Sequence, residues 1–493
     1  MNEGQLNRHN VSGKSSPFGF RLNPAWTMIS AWAGIIIVLL LIMPRLLIPI
    51  YPLSSLALGV YLYRRYPIQY VGFTWWIWFL GTFIKRLIDY RCNAITPWPY
   101  HLTPVLVTSI TLATVVRYLP RTYKRDGLPF MLCFMAILYG FCVGLLRQPI
   151  SDYDREIIIL LNWLAPVCFG FHLFINWRKF PQYRQTFQQV FLWGVLIMGA
   201  YGIFQFLVAP GWDILFMVEN EVFNGYSSYM GMPEPLGIRP WSTMGNPMNF
   251  AFNLMPGLIL LLISTKKSRY AAAGLGYVVF LISRVRSSWY SWFIALSVFV
   301  VSLKERHQMR IILTFFFMLV LIIPLASIDQ FSEIISTRFS SLSNLEGDAS
   351  FKARISTFEG AINVAMTEFI GWGLVAPGQA PTGMDFDGAL FSVMDNGYLA
   401  ILVSFGWFAG ICYVSGIVMI VAKLFSTNQL DPFTIAARAI AVGSLSRLAT
   451  SDITTEAYAM PIWGFMGIAI ASYKYYLHER KVAKDEKVMI EDY

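Results

Sequence analysis

Three arginines lie where they could meet a phosphate. Arg239 falls in G-I-R-P-W-S-T-M-G-N-P-M-N-F-A, residues 237–251, where a polar loop runs into an apolar segment. Arg286, with Arg284 two residues before it, lies in S-R-V-R-S-S-W between two apolar segments, and Arg354 stands near the start of an amphipathic stretch. A guanidinium stays charged and its planar fork pairs with two phosphate oxygens at once, so it suits an anionic headgroup or a diphosphate. Two carboxylates follow: Glu359, a little over a turn beyond Arg354, and Asp395, which precedes Asn396 and Tyr398. Displacement of a phosphate or diphosphate leaving group needs cations to stabilise the departing phosphate and a base to take the proton of an attacking hydroxyl. Asp395 is the first choice for that base and Glu359 the second, with Asn396 and Tyr398 able to orient sugar hydroxyls. Plainer roles exist for each: snorkelling for the arginines, an N-cap for Asp395, a solvated face for Glu359, a membrane boundary for Asn396 and Tyr398.

The elements that position these groups must be membrane helices. Of 493 residues, 56% are hydrophobic, 16% aromatic and only 13% charged, which no ordinary soluble globule could bury. The net charge of +10 does not point to nucleic acid, because Lys and Arg fall in short clusters between apolar runs, as the positive-inside rule expects. The five cysteines form no C-x-x-C pair, so neither a disulfide framework nor a zinc or other metal site is indicated. The first 25 residues are polar and lack an apolar core, so no cleavable signal is expected and the first span serves for insertion.

A helix needs about 20 apolar residues to cross the hydrocarbon. On that rule about fourteen spans (12–14) are expected, near residues 27–43, 46–63, 68–84, 102–119, 129–146, 156–176, 188–208, 246–264, 270–284, 288–303, 310–327, 396–423, 433–450 and 459–476. The first pair and the pair flanking Arg284 to Ser288 could instead be re-entrant hairpins. Basic clusters at Arg64, Arg121, Arg178, Lys266 and Lys304 mark alternate loops as cytoplasmic, with both termini on that side. Lys85, Arg86 and Arg91 break the alternation. The chain then divides into a cytoplasmic tail (1–26), an N-terminal bundle (27–208), a first outer loop (209–247), central helices (248–327), a second outer loop (328–395), C-terminal helices (396–476) and a cytoplasmic tail (477–493). The second loop should hold a short amphipathic helix from Phe351 to about Ile370, N-capped by Ser350 and ended by Gly371 and Gly373. Two in-span charges, Arg438 and Arg447, share one late helix; Arg447 could join the outer site or pair with Asp452 and Glu456.

Four segments in order resemble the O-antigen ligase and polymerase superfamily of bacteria. They are R-P-W-S-T-M-G-N-P-M-N-F-A, L-I-S-R-V-R-S-S-W-Y-S-W, R-I-S-T-F-E-G-A-I-N-V-A-M-T-E-F-I-G-W-G-L and D-N-G-Y-L-A-I-L-V-S-F-G-W-F-A-G, together spanning about Gly237 to Gly410. The resemblance implies a GT-C-like all-α bundle that transfers glycans from undecaprenyl diphosphate on the outer face of the bacterial plasma membrane, without metal or cofactor. It assigns the diphosphate to arginines: Arg239, Arg286 or Arg284, and Arg354. Ligases of the family carry a histidine where this chain has Asp395, and His9, His101, His172, His307 and His478 all lie outside the two large loops. A polymerase for O-antigen, capsule or exopolysaccharide is therefore expected, with a ligase, or a transporter or flippase of lipid-linked glycans, as alternatives. The partners implied are the lipid-linked glycan and membrane lipids, with a chain-length regulator left open.

Overall fold

The computed structural model describes residues 24–93, 100, 102–124, 126–147, 153–224, 230–303, 308–309, 362, 365–374, 396–426, 431–449 and 456–491. These residues form fifteen α-helices and no β-strand. The helices are α1 (Pro24–Ile42), α2 (Leu47–Arg65), α3 (Pro67–Cys92), α4 (Thr103–Ser109), α5 (Leu112–Thr122), α6 (Leu128–Arg147), α7 (Tyr153–Ile175), α8 (Phe180–Val208), α9 (Gly211–Asn224), α10 (Pro247–Ile263), α11 (Arg269–Ile282), α12 (Arg286–Val301), α13 (Gly397–Phe425), α14 (Pro432–Ser446) and α15 (Glu456–Glu491). Among the described residues, seven segments are long and apolar enough to cross a membrane: α1, Pro44–Arg65, Thr103–Thr122, α6, Arg155–Ile175, Trp177–Val208 and α13. The chain is an all-α polytopic membrane protein.

The expected spans meet helices of unequal length, and the one expected near residues 310–327 lies outside the described residues. α10, α11, α12 and α14 have 17, 14, 16 and 15 residues. At about 1.5 Å per residue they are roughly 26, 21, 24 and 23 Å long, against about 30 Å of hydrocarbon. α10 packs on each of the other three, and α14 lies close along α12: a Cβ on Gly443 would stand 2.6 Å from the Ser291 carbonyl oxygen and from Ala295 Cβ. Glycine is what permits that approach. α15 runs on through Glu491, so part of the expected cytoplasmic tail is helical.

Two ends of the bundle are tied differently. At one, Arg184 Nη1 donates to Asp431 Oδ1 (2.8 Å), the N-cap of α14, and Asp126 takes Lys474 Nζ at 2.9 Å with Lys423 Nζ at 3.7 Å. At the other, the charges that broke the basic alternation each find a partner. Lys85 pairs with Asp89 one turn on, Arg91 donates to the Leu41 carbonyl oxygen (2.7 Å), and Arg86 pairs with Asp213 of α9 and donates to the Ser242 carbonyl oxygen. Arg86 and Asp213 are fully buried, so α9 is clamped down on α3 rather than left as an open loop.

Candidate functional site

The end that carries Arg86 also receives the last residue of α11 and the first residues of α10, α12 and α13. Asn246 N-caps α10, its Oδ1 accepting from Asn249 N (2.7 Å), and Pro247 occupies the first helical position, as G-N-P suggested. Before it, Met230 to Arg239 fold back as a narrow turn, with Arg239 N donating to Met230 O (2.8 Å) and Met232 N to Gly237 O (3.1 Å). That turn aims the half-buried Arg239 at the end of α11. Its guanidinium donates to the carbonyl oxygens of Ser283 (3.4 Å) and Arg284 (3.2 Å), groups that a helix terminus leaves without intrahelical partners.

Arg284 has φ 57°, a left-handed conformation that reverses the chain between α11 and α12. Arg286 is the first residue of α12, and both arginines are half-buried. Two residues on, fully buried Ser288 accepts a 2.6 Å hydrogen bond from Arg447 Nη1. Arg447, just past α14 and 1% exposed, lies 4.9 Å from the ring centroid of Phe252 and 5.8 Å from that of Tyr458. Tyr458 OH in turn donates to Asn246 Oδ1 (3.1 Å). The structure thus joins Arg239, Arg284, Arg286 and Arg447 around one turn, and α10, α12, α14 and α15 meet there.

Asn396 is the N-cap of α13, with Oδ1 accepting from Tyr398 N (3.0 Å) and Leu399 N (3.2 Å), so its carboxamide oxygen is committed to the helix. Tyr398 is exposed. Asp395, Glu359 and Arg354 lie outside the described residues, as does most of the expected loop helix. The end of that loop is described: residues 369–374 pass between α6 and α13. Trp372 N donates to Val403 O (2.8 Å), Gly373 N to Ser404 O (3.0 Å) and Leu374 N to Gly140 O (3.2 Å). α13 breaks at Gly406 (φ 67°, ψ −174°) to offer those carbonyls, a conformation that favours glycine. Gly371 and Gly373 both take positive φ, but the described helical residues before them end at Thr367, short of the expected end near Ile370. Trp372 also stacks under Arg147, whose guanidinium carbon is 4.3 Å from a ring centroid and which pairs with Glu368 (3.3 Å).

Of the two roles the sequence offered Arg447, its contact with Ser288 puts it beside the Arg284–Arg286 turn, while Asp452 lies outside the described residues; the added signal was its place four residues after Gly443, one turn beyond the close contact with α12. Arg438, its companion, lies elsewhere, donating to Leu424 O (3.3 Å). Trp241 is wholly buried near Arg86 and offers no face to a sugar. On α9, partial burial and the charge of Asp89 push the Glu219 carboxyl above its ordinary value, with Lys85 opposing.

A family model described as O-antigen ligase matches residues 257–414, about a third of the chain. The match starts within α10, takes in the Arg284–Arg286 turn and the Asn396 cap, and ends within α13. No curated protein matches the sequence. The family match carries a function of the ligase or polymerase type, that of a membrane glycosyltransferase-like enzyme acting on lipid-linked glycans.

Proposed function

We propose that the chain, whose residues 257–414 match a family model described as O-antigen ligase, polymerises undecaprenyl-diphosphate-linked oligosaccharides on the outer face of the bacterial plasma membrane. The observation that carries this reading is the convergence of Arg239, Arg284 and Arg286 on the turn between α11 and α12. The proposed step is a displacement at the anomeric carbon. A sugar hydroxyl of one lipid-linked glycan attacks, the bond from that carbon to the diphosphate oxygen breaks, and undecaprenyl diphosphate leaves with the bonding electron pair. Arg239, Arg284, Arg286 and Arg354 neutralise the charge that grows on the leaving group. Asp395 takes the hydroxyl proton, with Glu359 as the second candidate, while the Asn396 amide hydrogens and the Tyr398 hydroxyl orient the acceptor.

Polymerisation is favoured over ligation because an aspartate stands where ligases carry histidine. The test is purified protein in vesicles supplied with the diphosphate-linked repeat unit. A ladder of longer lipid-linked chains supports the polymerase. A single transfer to a lipid A-type acceptor makes the protein a ligase, and passage of unmodified substrate across the bilayer makes it a flippase.

A further inference from the structure

We propose that Arg447 is a positioning residue for the turn between α11 and α12, acting through Ser288; this rests on the reading of that turn as a diphosphate site. Gly443 seats α14 on α12 at Ser291 and Ala295, and one turn further along both helices Arg447 meets Ser288. The two helices therefore arrive in register, and the guanidinium fixes the last turn of that contact.

The hydroxyls of α12 are not used alike. Ser291, and Ser302 at the C-cap, donate back to carbonyls one turn earlier, at 3.0 and 2.6 Å, whereas Ser288 accepts from a cation just past the end of α14. A charge-assisted bond of that kind is about twice as strong as a neutral one. It ties the first turn of α12, and with it Arg286, to α14. Arg239 holds the same turn from the other side through the carbonyls of Ser283 and Arg284. Between the two holds lie only three residues, 285–287, with Arg286 at their centre and the left-handed Arg284 at the first hold.

The rings of Phe252 and Tyr458 fix the Arg447 plane, and Tyr458 passes the restraint to Asn246, the cap of the helix that follows the Arg239 loop. One buried guanidinium thereby sets both arms of the proposed site. Its contribution is geometric: it fixes where Arg239 and Arg286 stand, so that the diphosphate meets both at once.

Two substitutions test this. Ser288→Ala removes the acceptor and Arg447→Lys keeps the charge but loses the planar fork. Undecaprenyl diphosphate binding in detergent, kcat and KM with the lipid-linked repeat unit, and the thermal midpoint are measured for each variant and the double variant. We expect about tenfold weaker diphosphate binding and a loss of roughly ten- to a hundredfold in kcat/KM in each single variant, the range that slight misplacement produces. Ser288→Ala takes this acceptor from a buried guanidinium and should lower the midpoint, and the double variant should bind no worse than the poorer single, because both act through the Arg447–Ser288 bond. Wild-type binding in Ser288→Ala, or additive losses in the double variant, overturns the proposal. If the wild type binds the diphosphate but makes no polymer, the polymerase reading fails while the binding comparison still decides the role of Arg447. If the wild type does not bind it, both fall.

Discussion

The guanidinium of Arg239 donates to the carbonyl oxygen of Arg284 across 3.2 Å, so one arginine of the proposed site holds the backbone of another. Arg239→Ala should therefore lose activity and stability together. Removing an electrostatic donor of this kind costs about 10²–10³ in turnover, and uncapping the end of α11 should lower the thermal midpoint as well. Arg286→Ala should show the same loss of turnover. Wild-type chain lengths in both variants would falsify the diphosphate assignment.

Asp395→Asn separates chemistry from helix capping. Asn396 already supplies the N-cap of α13, so removing the charge at 395 should leave the unfolding midpoint where it is. Loss of a general base is worth roughly 10²–10⁴ in rate. A fall of that size, with Glu359→Gln nearly silent, fits the order in which the two carboxylates are placed; the reverse result would move the base to Glu359.

Breaking the buried pair between Arg86 and Asp213 should be costly. Removing one partner of a buried ion pair typically costs about 3–5 kcal/mol. Arg86→Met alone should cut the yield of folded protein, and because Arg86 also holds the Ser242 carbonyl, the Arg239 loop should lose order with it. The paired replacement Arg86→Met with Asp213→Leu should recover part of the stability. Thermal unfolding in detergent measures both, and a double variant less stable than either single would contradict the account.

Asp126 provides a pH test at the opposite end. Partial burial alone would raise its carboxyl, but Lys474 and Lys423 together outweigh that and hold it below the ordinary value. A carboxyl lowered in the folded state contributes stability above its ordinary value and loses it as the pH falls through the lowered one. Asp126→Asn should thus be less stable than wild type at pH 7, and the gap should close toward pH 3. A gap that persists in acid would show that the aspartate acts by shape alone.

Much of this was legible in the chain, and the exceptions have a physical pattern. G-N-P announced the cap and proline that open α10, and the apolar runs on either side of S-R-V-R announced a turn with two arginines. These signals are local, set by residues within a turn of one another. The pairing of Arg86 with Asp213 joins positions 127 apart, and that of Arg447 with Ser288 joins positions 159 apart. A rule that counts basic residues in loops registers Arg86 as an exception because it cannot see a partner on α9. The break in α13 was hidden for a different reason: Gly406 sits in an apolar run that reads as one helix, and only the segment 369–374 bonded beside it gives the break a purpose. Arg354, Glu359 and Asp395 lie outside the described residues, so the acid–base half of the site rests on the sequence.

The shortness of α11 and α12 also bears on the lipid around the protein. Both turn apolar side chains outward, Tyr270 from α11 and Tyr290 and Phe293 from α12, yet neither reaches across an average hydrocarbon layer. Hydrophobic mismatch of this kind is relieved by local thinning of the bilayer, at a cost of fractions of a kcal/mol per Å. Thinning here would bring headgroups, and any diphosphate anchored among them, down to the level of the Arg284–Arg286 turn. The solvent would then do part of the substrate's docking, and acyl-chain length in the host membrane would become a variable of catalysis.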